Sequence, residues 1–489
     1  MRPSSCNTRR EFLITTGTAM LAGPALAGWP WGRAAAAAPK IRSCGPASAY
    51  VPKIRAAFVR RKGEYGLRWP GAVYDGAAAL REYTGRIGKA ARDLGLEIDL
   101  RPEPLFGPGE AKAWVDGSAA AKPDGLLVVL LDRQDHAWPT AKLAADTGLP
   151  TVVFAPVGAA FTTNTTGLAD RDGVLVCSTS DFTEPLWGLR SIRAAAKLRE
   201  MRWLVIRGDT RRDSTLAPFG TGLRTIPAAA FLEEYRATPT DEGIRAMARD
   251  YLRRASRLRD ATEEDLLNGI KSYVVAGRLL EREQCDGITM DCLGALGRTD
   301  VSLPCIAWSR MNDDRIPAAC EADLGACLTH AVSHHLLERP GFQQDPVPET
   351  ARSCLIGAHC SCPTRLAGFD APPVPFSIRH HHGNRDAVPH PVWRAGERMT
   401  CFDVLLPAER IPGEDAAPDV ARMVISAGTV VENVAVPPAG GCVVSVMARL
   451  DGDSDLLAYP GFHQLFVYGD WKRRLVDFCR IARIRPVIV

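Results

Sequence analysis

Two Rossmann-like α/β units, each built on a parallel sheet and followed by a C-terminal antiparallel β-barrel-like domain, make up the α/β fold class that the sequence predicts. Three observations carry that expectation. The chain has 489 residues, more than a single core organises. Up to about residue 350, short apolar runs alternate with amphipathic stretches, the pattern of parallel strands covered by helices. Past Ser353 the texture changes to short apolar runs broken by Pro and Gly, as in antiparallel sheets and small barrels.

In the first unit, residues 40–170, the strand candidates are KIRAAFVRR from Lys53, GLEIDLRPEPL from Gly95, GLLVVLL from Gly125 and PTVVFAP from Pro150. Their rows of apolar residues suit buried strands. Helices are expected between them, in GAAALREYTGRIGKAARDLG from Gly76, near residues 110–121, and in WPTAKLAADTG from Trp138. In the second unit, residues 171–350, strands are expected at GVLVCST from Gly173, RWLVIRG from Arg202, LRTIPAAAFLEEY from Leu223 and CDGITMD from Cys285. Its helices are PLWGLRSIRAAAKLREM from Pro185 and a long, charged, amphipathic stretch over 240–283. The third unit, residues 351–489, supplies SCLIGAHCSCP, MTCFDVLLP, RMVISAGTVVE and CVVSVMARL as strands.

Residues 1–38 form a separate segment. The paired Arg9 and Arg10, then Phe12, a weakly apolar stretch and small residues at Ala25-Leu26-Ala27 and 34–38 resemble a bacterial twin-arginine export signal. A membrane anchor is the competing reading, but the apolar part falls short of the roughly 20 residues a spanning helix needs. Export to the periplasm or another extracytoplasmic space is the expectation, with no stable membrane insertion. Net charge is +4 with no long basic run, which gives nucleic acid nothing to bind. Fourteen cysteines invite a disulfide reading. Several of them, Cys327 and Cys401 included, sit in apolar patterns and read as small core residues.

Between Cys320 and Cys360, Glu321, Asp345 and His359 are oxygen and nitrogen donors in the stretches CEADLGACLTHAVSHHLLERPGFQQDP and LIGAHC. A helix is expected to begin near Glu321, with Leu324, Leu328, Val332 and Leu336 facing the core. Each donor has an ordinary reading. Glu321 suits a helix start, Asp345 before Pro346 suits an exposed turn, and His359 suits a hydrogen-bonded core position.

Six blocks change that weighing. MDCLG at 290–294, PCIAWSR at 304–310, CEAD, GFQQDP, GAHC and PGFHQLFVYGDW at 460–471 occur in an order that resembles the L-fucose and L-arabinose isomerases. The resemblance covers most of the chain beyond Cys285. It implies a Mn²⁺ held by Glu321, Asp345, His359 and His463, with Asp345 standing where the arabinose branch has glutamate and the fucose branch aspartate. It implies that Glu321 and Asp345 are also catalytic, moving a proton between C1 and C2 of a small-molecule sugar through an enediol. It further implies a homo-trimer or homo-hexamer. Two carboxylates and two imidazoles suit Mn²⁺, Fe²⁺, Co²⁺ or Zn²⁺, and hard donors favour Mn²⁺.

Other features compete. Cys360 and Cys362 beside His359 offer a thiolate zinc site, without the second C-x₂-C pair of a zinc ribbon. His380, His381 and His382, flanked by Arg379 and Arg385, read either as a loop at the cleft rim or as a solvated histidine-rich loop. Asp286 and Asp291 flank a strand end, where Asp291 could support the site or serve a turn. RGDTR from Arg207 reads as a strand-to-loop transition. No Walker A, G-x-G-x-x-G or G-x-S-x-G element appears. The expectation is a metal-dependent aldose–ketose isomerase, with a non-catalytic exported carbohydrate-binding protein as the alternative.

Overall fold

The computed structural model describes residues 41–489 apart from 64, 68–73, 134, 382–384, 412–413, 415–417, 436–442 and 454. The twin-arginine stretch with Arg9, Arg10 and Phe12, and His382, lie outside the described residues. Among the described residues no helix is long and apolar enough to cross a membrane.

The first sheet is parallel throughout. Its strands are β1 (Lys53–Val59), β2 (Glu97–Leu100), β3 (Gly125–Leu130), β4 (Thr151–Ala155) and β5 (Val174–Ser178), in the spatial order β2-β1-β3-β4-β5. Every residue of β3 and β4 is buried because helices cover both faces. Alternate side chains feed separate cores: Val152 and Phe154 join one cluster, Val153 and Ala155 the other. Fully burying a Val or Phe of this kind contributes about 1.5–3 kcal/mol. β5 lies within GVLVCST, so this stretch completes the first sheet rather than opening the second.

The second sheet runs β10-β9-β6-β8-β7, from β6 (Arg202–Ile206), β7 (Arg212–Leu216), β8 (Thr221–Ile226), β9 (Gly287–Met290) and β10 (Ala318–Cys320). Four of these are parallel, and β7 adds an antiparallel edge through a hairpin with β8. The purely parallel second unit is therefore only partly present. β7 reads RDSTL and is exposed along most of its length, so it carries no apolar run by which to find it. The long charged stretch divides into helices Glu242–Arg254 and Glu263–Arg282, the second opened by a reciprocal capping box between Thr262 and Asp265.

The C-terminal part closes into an antiparallel barrel. Its strands are β11 (Phe342–Glu349), β12 (Cys354–His359), β15 (Arg398–Leu405), β16 (Arg422–Asn433), β17 (Val444–Leu450) and β18 (Gln464–Tyr468). Going round, β15-β18-β11-β12-β17-β16 returns to β15, which leaves no edge inside the ring. The first barrel strand starts ahead of residue 351. Between β12 and β15, β13 (Phe376–His381) and β14 (Arg385–Pro391) form a hairpin that shares a core with the helix Glu263–Arg282. β19 (Arg485–Ile488) pairs parallel to β16 on the outside of the ring.

Candidate metal centre

Glu321 follows β10 directly, at the carboxyl end of the second sheet. It does not start a helix. Glu321 and Ala322 both have left-handed backbone, φ 62° and 56°, and the helix Leu324–Val332 begins only after them. Its cap is Asp323, whose Oδ1 accepts from Ala326 N at 2.9 Å. Successive left-handed residues without glycine are costly and persist only where the surroundings hold them. This kink leaves the Glu321 carboxylate unused by the helix and turned toward the barrel.

Asp345 is not on an exposed turn. It lies within β11, paired with Ala358 of β12, and Gln344 pairs with Gln464 of β18. That register brings Asp345 close to the end of β12, whose last residue is His359, and to His463, the residue before β18. His359 and His463 both face Glu321. At Gly357 an added Cβ would come within 2.6 Å of Phe466 and 2.8 Å of Gln344, so the close approach of these strands needs glycine.

Glu321, His359 and His463 converge, and Asp345 adjoins the group through His463. His359 Nε2 is 3.8 Å from Glu321 Oε1, and His463 Nε2 is 3.6 Å from Glu321 Oε2 and 3.2 Å from Asp345 Oδ1. Ligand atoms of Glu321, His359 and His463 all lie within 4.8 Å of one another. His463 Nε2 and Asp345 Oδ1 are both buried and lie 3.2 Å apart as an ion pair that lacks hydrogen-bond geometry. Buried polar atoms left without a well-formed hydrogen bond are rare and suit a site that takes a further group.

Asp323, which no pattern in the sequence singles out as a site residue, does a second job. Its Oδ2 lies 2.8 Å from His463 Nδ1. The Nδ1–H donates to this carboxylate, which leaves Nε2 as the nitrogen facing Glu321 and Asp345. A carboxylate behind an imidazole in this way orients the ring and raises its basicity. Burial opposes charge on His463, but Asp323 and Asp345 outweigh it and hold the ring's pKa up at about 10. Burial also raises Glu321, opposed by His463 and reinforced by Asp345. Acidic Glu321, Asp323 and Asp345 around one imidazole need positive charge in their midst. A proton on Nε2 supplies it, and so would a divalent cation. The donor set is two carboxylates and two imidazoles with no thiolate, so the residues present fit a hard or borderline divalent ion.

The remaining candidates have structural employment. Asp286 is buried and accepts from Ala47 N, Ser48 N and Arg202 N at 3.2, 2.9 and 3.0 Å, a clip at the far end of β9. Asp291 caps a short helix through Gly294 N at 3.0 Å. Arg379 pairs with Asp260, His380 with Asp265, and Arg385 donates to Thr299 O and Val301 O. The expected rim loop is thus a packed hairpin, whose strand β13 ends with His381 buried. Cys360 and Cys362 do not form a pair: Cys362 packs in the barrel core with Sγ 3.5 Å from Pro363 O. Cys327 and Cys401 are buried in core, as their apolar settings suggest.

No protein-family model matches the chain, and no curated protein matches it. Solved structures that it is similar to include a sugar ABC transporter sugar-binding protein from Bacillus halodurans. That pair shares 15% identity over 62% of this chain and 91% of the other, with a TM-score of 0.17. A periplasmic sugar-binding protein of an ABC sugar transporter from Legionella pneumophila shares 10% over 58% and 94%, with a TM-score of 0.18. A structure described as the XylFII molecule shares 11% over 56% and 97%, with a TM-score of 0.17. At these scores the likeness carries no argument about function.

Proposed function

We propose that the centre holds a divalent metal ion, best suited to Mn²⁺, and that the protein is an aldose–ketose isomerase. What supports this reading is the convergence of Glu321, His359 and His463 from the turn after β10, β12 and the turn before β18, with Asp345 of β11 against His463. Bound there, a divalent ion acts as a Lewis acid that lowers the cost of negative charge on O1 and O2 of a sugar.

The chain's own residues supply the rest. Glu321 and Asp345 are comparably exposed, with side chains at 36% and 32%, so a carboxylate can reach a substrate carbon from the open side. A Glu321 carboxylate oxygen takes the proton from C2 of the aldose as the double bond forms between C1 and C2. The proton is then returned at C1, and Asp345 holds the hydroxyl hydrogen that moves between O1 and O2. His463 stays oriented by Asp323 throughout. Phe462 is 61% exposed, and its ring centroid is 4.6 Å from that of His463, so it offers an apolar platform for the C–H face of a sugar. Export through the twin-arginine segment and assembly into a trimer or hexamer belong to the same proposal.

The test is to incubate the Mn²⁺-loaded protein with a panel of aldoses and ketoses in D₂O and follow the sugars by NMR. Interconversion with deuterium entering at the carbon that receives the proton is expected, and Glu321→Gln abolishes both. Sugar binding without any exchange, in a protein shown to carry the metal, leaves the non-catalytic carbohydrate-binding reading in its place.

A further inference from the structure

Behind the carboxylate centre the structure gathers thiols. Cys305 opens the helix Cys305–Asp313, Cys360 follows β12, and His381 ends β13. These elements are far apart in sequence, yet one sulfur from each cysteine and a ring nitrogen of His381 all lie within 4.8 Å of one another. All three residues are buried, at 2%, 7% and 5% exposure. Cys320 forms a second such group with Cys360 and His359, so its sulfur is within 4.8 Å of the Cys360 sulfur.

We propose that Cys305, Cys360 and His381 form a second cation site, of soft donors, suited to Zn²⁺, with Cys320 the nearest further thiol. The donor chemistry separates it from the first centre: thiolates and an imidazole select Zn²⁺ or Cu(I) over Mn²⁺. Distances favour a bridging cation over a disulfide. The Cys305 and Cys360 sulfurs are 3.3 Å apart. Two thiolates on one zinc, each at about 2.3 Å in tetrahedral geometry, stand about 3.8 Å apart. A disulfide needs about 2.05 Å. Opening by about half an ångström is the smaller movement. On binding, the two thiols give their protons to bulk water and no electron is transferred.

The site adjoins the first centre through one ring. His359 Nδ1 is 3.6 Å from Cys360 Sγ, while its Nε2 faces Glu321. Cys292 and Cys285 belong to the same core cluster as Cys305, Cys320 and Cys360, and mere core packing of small apolar residues is the account this proposal displaces.

Cobalt substitution tests it on the full chain. The metal-stripped protein is titrated with Co²⁺ under reducing conditions and its absorption recorded. A sulfur-to-cobalt charge-transfer band in the near ultraviolet is expected, quenched when Zn²⁺ is added. Cys305→Ser and Cys360→Ser lose the band, His381→Ala changes its position, and Glu321→Gln keeps it. Circular dichroism confirms that each variant is folded. For any variant that is not, mercurial titration of the zinc-loaded wild-type protein, with released zinc read by a chromogenic chelator, answers the same question: zinc leaving as the thiols are consumed is expected. Absence of the band at every Co²⁺ ratio, its survival in Cys305→Ser, or a Cys305–Cys360 disulfide found by mass spectrometry in the protein as purified would each overturn the proposal.

Discussion

Asp323 does two things at once, since one oxygen caps a helix and the other fixes the proton on His463 Nδ1. Asp323→Asn keeps the cap but replaces the charged acceptor, so the helix survives while Mn²⁺ affinity, measured by calorimetry, falls about 10–100-fold. His463 also gives the metal-free protein a pH signature. Its folded pKa of about 10 lies above the ordinary value of an unfolded histidine, about 6.5. The stability that this contributes is complete below pH 6.5 and is lost as pH rises through about 10. Melting temperature in chelator therefore falls across that window, and His463→Gln flattens the decline. Phe462→Ala is expected to raise KM about tenfold with little change in kcat, as removal of uniform substrate binding does. An unchanged KM removes the ring from the site. At this scale Glu321, Asp345, His359 and His463 could be proposed together from the sequence only through the order of their blocks, because a carboxylate or histidine alone has an ordinary structural role. Asp323, two residues past Glu321, went unremarked because the helix start was expected near Glu321, whereas the helix begins at Leu324. Its bond to His463 joins segments that no local pattern connects.

At the scale of elements, the centre depends on two turns. Gly461 has φ +86°, and a Cβ there would sit 2.7 Å from Asp403 Oδ2 and 3.3 Å from Gln464 Nε2. Gly461→Ala should displace His463 and weaken Mn²⁺ binding at least tenfold, in a barrel that still folds. Unchanged binding contradicts the role given to this turn. The other turn carries Glu321 and Ala322 in left-handed backbone. Ala322→Gly relieves that cost, less the extra entropy of glycine, and is expected to raise stability to urea by about 0.5–1 kcal/mol. Strands such as TVVFA were legible because both faces are buried and the apolar run is unbroken. β7, reading RDSTL, was not, since an exposed edge has no such run. β11 misled for another reason. Asp345 before Pro346 suggested an exposed turn, yet β11 pairs with β18 over 342–344 and with β12 over 345–349, so Pro346 and Pro348 lie where the strand has one paired neighbour.

For the whole molecule, the change of texture after Ser353 announced an antiparallel domain, because frequent turns are needed to reverse a chain within a barrel. The strand at which each sheet ends was not legible, since GVLVCST looks the same in either sheet. The meeting of the second sheet with the barrel mouth could not be read from spacing either: it is set by register and closure. That meeting is the core of the account, and the most direct measurement of it is a Mn²⁺ titration followed by electron paramagnetic resonance of the free ion. Thiolate donors compete poorly for Mn²⁺, so this reads the carboxylate–imidazole centre alone. The wild-type protein is expected to suppress the free-ion signal up to about one equivalent, and an Asp345→Asn/His463→Gln double variant, folded by circular dichroism, to suppress none. A free-ion signal that rises from the first addition with wild-type protein, or equal suppression by the double variant, contradicts it.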